Sequence, residues 1–252
     1  MIRGIYAAVS GMVTDMLRME AVNHNLSNLT TPGYKQRMAT ASDFQSMLVA
    51  RLSGGNSAAQ PNGPTVGSVG TGVMLDEMVT DWSTGSLKQT DHLMDLALTG
   101  EGFFQVQTPD GVRYTRDGSF HRDAAGQLVS VDGYPVLGLN GPLALPDGDM
   151  VVAEDGTVTV ADTVIDVLDT VTFDQPDNLI REGENLFSAP DTLTSTPSQA
   201  RVLQGYVEES NVDPTLAMLE MMSVARAYEA SQRMVQAQNQ VLEKAVTEVG
   251  RV

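Results

Sequence analysis

The sequence predicts an α+β chain in which N- and C-terminal helices pair as a coiled-coil-like layer and a central, mainly antiparallel β domain lies between them. Three observations carry this. Apolar residues recur at threes and fours over residues 2–29 and again over 213–249. Between these stretches the period falls to two, in short runs bounded by turn residues. Asp-Gly occurs five times in the middle, at 110–111, 117–118, 132–133, 147–148 and 155–156. Between alternating apolar runs that dipeptide signals a tight hairpin, because the turn needs positive φ.

The first helix carries Ile5, Val9, Met12, Met16, Met19, Val22, Leu26 and Leu29 on one stripe, and Pro32-Gly33 stops it. The segment "ASDFQSMLVARL" (41–52) reads as a shorter helical piece. "SGGNSAAQPNGPTVGSVGTG" (53–72), with its glycines and prolines, reads as a flexible loop. From 73 to 205 the runs "FFQVQT", "QLVSV", "MVVAEDGTVTV" and "TVIDVLDTVTF" alternate as strands do.

The last helix starts near Pro214, with Ser210, Asn211 or Asp213 as its cap. Met218, Met221, Ala225, Tyr228, Gln232, Val235, Asn239, Leu242, Val246 and Val249 keep an unbroken three-four alternation, a seam that has to be buried. At about 1.5 Å per residue this helix is roughly 55 Å long, more than a small β domain covers. The first helix is its nearest partner, with Gln232 and Asn239 as polar seam positions that set register. Leu216 and Leu219 lie on the opposite face and call for a second contact. The chain thus divides into an assembly helix (1–35), an extended Gly-rich linker (36–72), a β domain (73–205) and a second assembly helix (206–252).

Composition narrows the function. The chain has 252 residues and no cysteine, which excludes disulfides, thiolate metal sites and a Cys nucleophile. Its net charge is −17, of which −15 falls in residues 51–205, against +1 in 1–50 and −3 in 206–252. Nucleic acid and anionic membrane are therefore poor partners, and no run is long enough to insert into a membrane. The near-neutral ends suit packing. The opening "MIRGIYAAVSGMV" begins like a secretory leader, but Ser10, Gly11, Asp15, Arg18 and Glu20 interrupt it, so no cleavage is expected. His24, His92 and His121 lie in separate segments without a second ligand at helical spacing, and the aspartates lack the calcium-loop pattern. No metal or cofactor is expected. "RDGSFHRD" (116–123) offers neither a nucleophile elbow nor paired glutamates, so no catalytic residue is assigned. Asn25-Leu26-Ser27 and Asn28-Leu29-Thr30 are glycosylation sequons in form only.

"NHNLSNLTTPGYK" (23–35) resembles the N-terminal signature of the flagellar rod and hook axial proteins, an Asn-Asn-Leu-Ala-Asn core before a Thr-x-Gly-[Phe/Tyr]-[Lys/Arg] turn. His24 and Ser27 stand where that family usually has Asn and Ala. "GEGFFQV" (100–106) with "YTRDGSF" (114–120) resembles its β-domain motif. Residues 205–235 are similar to its C-terminal motif at Glu208, Ser210, Asn211, Val212 and Arg226-Ala227-Tyr228-Glu229.

The resemblance implies a structural subunit of the bacterial flagellar rod, in which the terminal helices form the inner layer of a tubular polymer and transmit motor torque to the hook. It implies export through the flagellar type III pathway without a cleaved signal. The partners would be further copies of the chain, other rod and hook subunits and the export apparatus, with no nucleic acid and no membrane insertion. Length and the 53–72 loop look more like the distal than the proximal rod members. A proximal rod subunit is one alternative; a monomeric, secreted, acidic β-domain binding protein is another, of a different class. The assembly residues so assigned are Ile5, Met12, Met16 and Met19, then Asn23, Asn25, Leu26, Asn28, Gly33 and Tyr34 of the signature. In the C-terminal motif they are Asn211, Met218, Met221, Ala225, Tyr228, Gln232, Val235, Asn239 and Leu242. The signature amides are expected to cap helix carbonyls or to bond to neighbouring subunits.

Overall fold

The computed structural model describes residues 2–44, 47–50, 65–183, 185–190 and 192–249. They form two compact units, one of residues 1–24, 37–79 and 215–252, the other of 25–36 and 80–214. Helix α1 spans Ile2–Ser27 and helix α2 spans Pro214–Val249, with the proline at the first helical position, where its missing N–H costs nothing.

In the first unit α1 and α2 run antiparallel. Gln238 stands over Gly4, its amide nitrogen 2.5 Å from where a Gly4 Cβ would be, and Ser231 Oγ lies 3.7 Å from the corresponding point on Gly11. Seven residues forward on α1 match seven residues back on α2. The inward side of α2 is therefore Ala217, Met221, Val224, Tyr228, Ser231, Val235, Gln238, Leu242 and Ala245, each buried or half-buried. This corrects half of the expected seam. Met221, Tyr228, Val235 and Leu242 are on it and Ala225 is half-buried, whereas Met218, Gln232, Asn239 and Val246 are exposed. Val249 is helical, but its side chain lies outside the described ones. The physical reason is register: the close approach of Gln238 to Gly4 and of Ser231 to Gly11 turns that flank of α2 toward α1.

Two strand pairs complete this unit. Arg37–Asp43 pairs with Val73–Thr80, and Met47–Ala50 pairs antiparallel with Thr65–Val69. The helical piece expected over 41–52 is instead strand at 41–43, paired with Val73–Thr80, and at 47–50, paired with Thr65–Val69, because backbone pairing outweighs a weak local helix preference. Of the loop expected over 53–72, residues 53–64 lie outside the described residues, and Thr65–Val69 is strand rather than loop because it pairs with Met47–Ala50. Ser10 ties the Val73 strand to α1: its hydroxyl accepts from Val73 N at 3.2 Å and donates to Ala7 O at 2.9 Å.

The second unit is antiparallel β. Its largest sheet orders the strands Ile180–Glu182, Leu186–Ser188, Gly111–Thr115, Phe103–Thr108, Thr170–Phe173 and Ser195–Pro197. Alternation along Phe103–Thr108 splits the core in two. Phe104 and Val106 enter a cluster with Leu96, Leu128, Val136 and Val158, while Phe103 joins Phe173, Phe187 and Trp82. The chain enters and leaves this unit as paired strands, Leu96–Thr99 with Arg201–Gln204 and Leu87–Gln89 with Tyr206–Glu208. Four of the five Asp-Gly pairs place glycine at positive φ, at Gly111, Gly133, Gly148 and Gly156. The fifth differs. A Cβ on Gly118 would stand 1.5 Å from Leu96 O, so close backbone approach, not turn geometry, demands glycine there.

Candidate functional site

The signature segment folds onto the β unit through a buried polar junction. Just after α1, Thr31 Oγ1 donates to Asn28 Oδ1 at 3.1 Å, and Tyr34 Oη donates to Asn25 Oδ1 at 3.1 Å. Gly33 sits at φ 68°, with Asp117 N 2.4 Å from its would-be Cβ, and its N–H donates to Glu208 O at 2.7 Å. Lys35 then runs inward, where Nζ donates to Glu208 Oε1 and to Ser83 O, both at 2.7 Å. Arg116 Nη1 lies 3.6 Å from Glu208 Oε2, and the guanidinium also donates to the carbonyls of Leu98 and Gly100. Asn211 closes the ring, accepting from Gln36 N at 2.7 Å and donating to Asp81 O at 2.9 Å. Arg181 lies 4.4 Å from the Tyr34 ring centre and donates to Lys35 O at 3.0 Å.

Burial holds the Lys35 ammonium and the Arg116 guanidinium below their ordinary pKa ranges, an effect that Glu208 opposes in both. Burial raises the Asp117 carboxyl instead, against hydrogen bonds from Ser119 and Asn185. Lys35 and Arg116 converge on the Glu208 carboxylate, a contact that fastens the signature to the outgoing strand. The Asn25 and Asn28 amide oxygens accept from hydroxyls of the same chain, and both residues are buried, so neither sequon has room for a glycan.

The helices present a second feature. Tyr6, Val9, Val13 and Met16 recur at threes and fours on the outer side of α1, with Tyr6 69% exposed, so Val9 and Met16 leave the stripe expected to hold them with Ile5, Met12 and Met19. On α2, Leu216, Leu219, Met234 and Val241 are exposed, and Ala227, Ala230 and Ala237 continue the row between them. Each helix therefore carries one apolar stripe turned inward and one turned out.

The assigned residues distribute over these places. Asn25, Asn28, Gly33 and Tyr34 are buried in the junction, where Asn211 is half-buried. Ile5, Met12, Met19 and Leu26 on α1 and Met221, Ala225, Tyr228, Val235 and Leu242 on α2 are half-buried. Met16, Asn23, Met218, Gln232 and Asn239 are exposed. Lys35, Arg116 and Glu208 each stand in a motif but were not among the assembly residues; a charged residue inside a β-strand run was a local signal for Glu208 alone. Among the described residues no group of three or more His, Cys, Asp or Glu side chains is placed to hold a metal, and no helix is long and apolar enough to cross a membrane.

Two stretches match known family models. Residues 97–160 match the flagellar hook protein FlgE/F/G D1 domain, and residues 203–248 match the flagellar basal body rod FlgEFG protein C-terminal region. These matches define the class as that of flagellar hook and rod proteins. The chain is 34% identical over 260 residues to the flagellar basal-body rod protein FlgG of Buchnera aphidicola subsp. Schizaphis graminum, covering 97% of this chain and 98% of that one. It is 34% identical over 272 residues to the flagellar hook-basal body complex protein FlhO of Bacillus subtilis, over the whole of both chains. With FlgG of Bacillus subtilis the identity is 30% over 265 residues, 98% of each. The chain belongs to the flagellar basal-body rod protein family and is a structural subunit of that rod.

Proposed function

We propose that the chain polymerises through the outward stripes of α1 and α2 into the shaft that carries motor torque to the hook, without catalytic activity of its own. The observation that supports this is the outward pair of stripes: Tyr6, Val9, Val13 and Met16 on one helix, Leu219, Met234 and Val241 on the other. A row of exposed apolar side chains on each of two helices is the surface that a repeated assembly covers, since every subunit meets neighbours on more than one side. Other rod and hook subunits supply the contacts at the two ends of the polymer. Export proceeds through the flagellar pathway with the N-terminal residues retained, since they belong to the α1 surface. A distal position in the rod rests on the length of the segment between α1 and the β unit.

Val13→Asp and Met234→Asp test this reading. Both side chains are about half exposed, so the isolated chain should keep its circular dichroism and melting temperature. Neither variant should appear in purified hook–basal bodies, counted by mass spectrometry against a ring protein. Normal incorporation of both would overturn the reading. The wild-type count relative to the ring separates distal from proximal placement.

A further inference from the structure

We infer that peroxides switch off subunit assembly by oxidising the exposed methionines of α1 and α2, of which Met16 and Met234 lie on the outward stripes, a proposal that rests on the assembly reading above. With no cysteine and 14 methionines, thioethers are the only sulfur chemistry this chain has. Among the described residues Met16, Met38, Met74, Met218, Met222 and Met234 are exposed. Four of these, Met16, Met218, Met222 and Met234, lie on the helices, between 49% and 56% exposed. Met150 in the β core is 2% exposed.

The chemistry follows exposure. A thioether Sδ attacks one oxygen of a hydroperoxide; an S–O bond forms as the O–O bond breaks. Sulfur is oxidised by two electrons, and the second peroxide oxygen takes up the proton of the first and leaves as water or alcohol. The sulfoxide is a strong hydrogen-bond acceptor where an apolar side chain stood. Burying it against a neighbour's apolar stripe leaves that acceptor without a donor, at a cost that opposes the contact. Once a neighbour covers the stripe the same sulfurs are shielded, so oxidation acts on the unassembled subunit. Reduction by a thiol-dependent sulfoxide reductase restores the thioether.

Peptide mass mapping of the purified full-length chain in hydrogen peroxide tests the site. Met16, Met218, Met222 and Met234 should each gain one oxygen at least about tenfold faster than Met150. The consequence is read in a strain lacking its own rod subunit, complemented with the wild-type chain or with the Met16→Leu/Met218→Leu/Met222→Leu/Met234→Leu variant. Hook–basal bodies are counted with and without sublethal hydrogen peroxide, each chain normalised to its own untreated count. The wild-type chain should lose most of its rods under peroxide and the variant should retain most of its own, although Met38 and Met74 still oxidise in both. Equal losses, no loss in either chain, or equal oxidation of Met150 would overturn the inference and leave the assembly reading standing. Absence of wild-type rods without peroxide would instead overturn the assembly reading and this inference with it.

Discussion

Lys35 Nζ lies 2.7 Å from Glu208 Oε1, 173 residues apart in sequence, with both side chains 1% exposed. Arg116 Nη1 lies 3.6 Å from Glu208 Oε2, so two cations face this carboxylate, with weaker attraction from Asp81 on Lys35 and from Glu101 on Arg116. Removing the anion leaves two buried cations facing each other, whereas removing Lys35 leaves a neutral pair. Glu208→Gln should therefore cost more than Lys35→Met, with the former near 5 and the latter near 3 in a range of about 3–5 kcal/mol. Urea unfolding of both variants checks the order; a milder effect for Glu208→Gln would contradict the charge count.

Asp117 has its pKa raised by burial. A carboxyl whose folded pKa exceeds its unfolded one contributes stability below the ordinary carboxylate value, and loses it as pH climbs through the raised value. The wild-type chain should therefore gain stability relative to Asp117→Asn as pH falls from about 7 to about 4. Denaturant midpoints at the two ends measure this. A difference that widened in the variant's favour on acidification would show that the hydrogen bonds from Ser119 and Asn185 outweigh desolvation.

Two glycines should answer oppositely to alanine. At Gly118 the new Cβ would meet the Leu96 carbonyl, a backbone atom held by the bond from Leu96 N to Gly118 O at 3.0 Å. Gly118→Ala should cost about 3 kcal/mol or more. At Gly11 the nearest atom is Ser231 Oγ at ordinary contact distance, so Gly11→Ala should gain about 0.5–1 kcal/mol through helix propensity. Thermal melts of the two variants decide.

The position of the α2 seam is testable one residue apart. Ser231 faces Gly11, and Gln232 is exposed. Ser231→Leu overpacks the helix pair and should cost about 1–3 kcal/mol. Gln232→Leu should stay within about 0.5 kcal/mol. The reverse order would return the seam to Gln232 and Asn239.

Much of this was legible in the residues. The α2 periodicity located Pro214–Val249 almost to its ends, and "FFQVQT" and "TVIDVLDTVTF" fell where strands form. The miss at 41–52 has a common cause: four residues, Met47–Ala50, are strand because a partner pairs with them, and the partner lies beyond residue 64. At the junction the signature pointed to Asn25 and Asn28, and their amide oxygens accept from the hydroxyls of Tyr34 and Thr31, contacts that no local pattern shows.

By itself the sequence determined the two terminal helices and the strands and turns of the middle, because periodicity and turn chemistry act over a few residues. It also left each helix with more apolar surface than one partner covers. Only the tertiary structure decided which flank of α2 turns inward. Positions 217 and 218 both keep a three-four spacing with Met221, so the pattern alone cannot choose between them. Gly4 and Gly11 choose, by admitting Gln238 and Ser231. The same holds for Lys35, which finds Glu208 only when the two ends of the β unit are brought side by side.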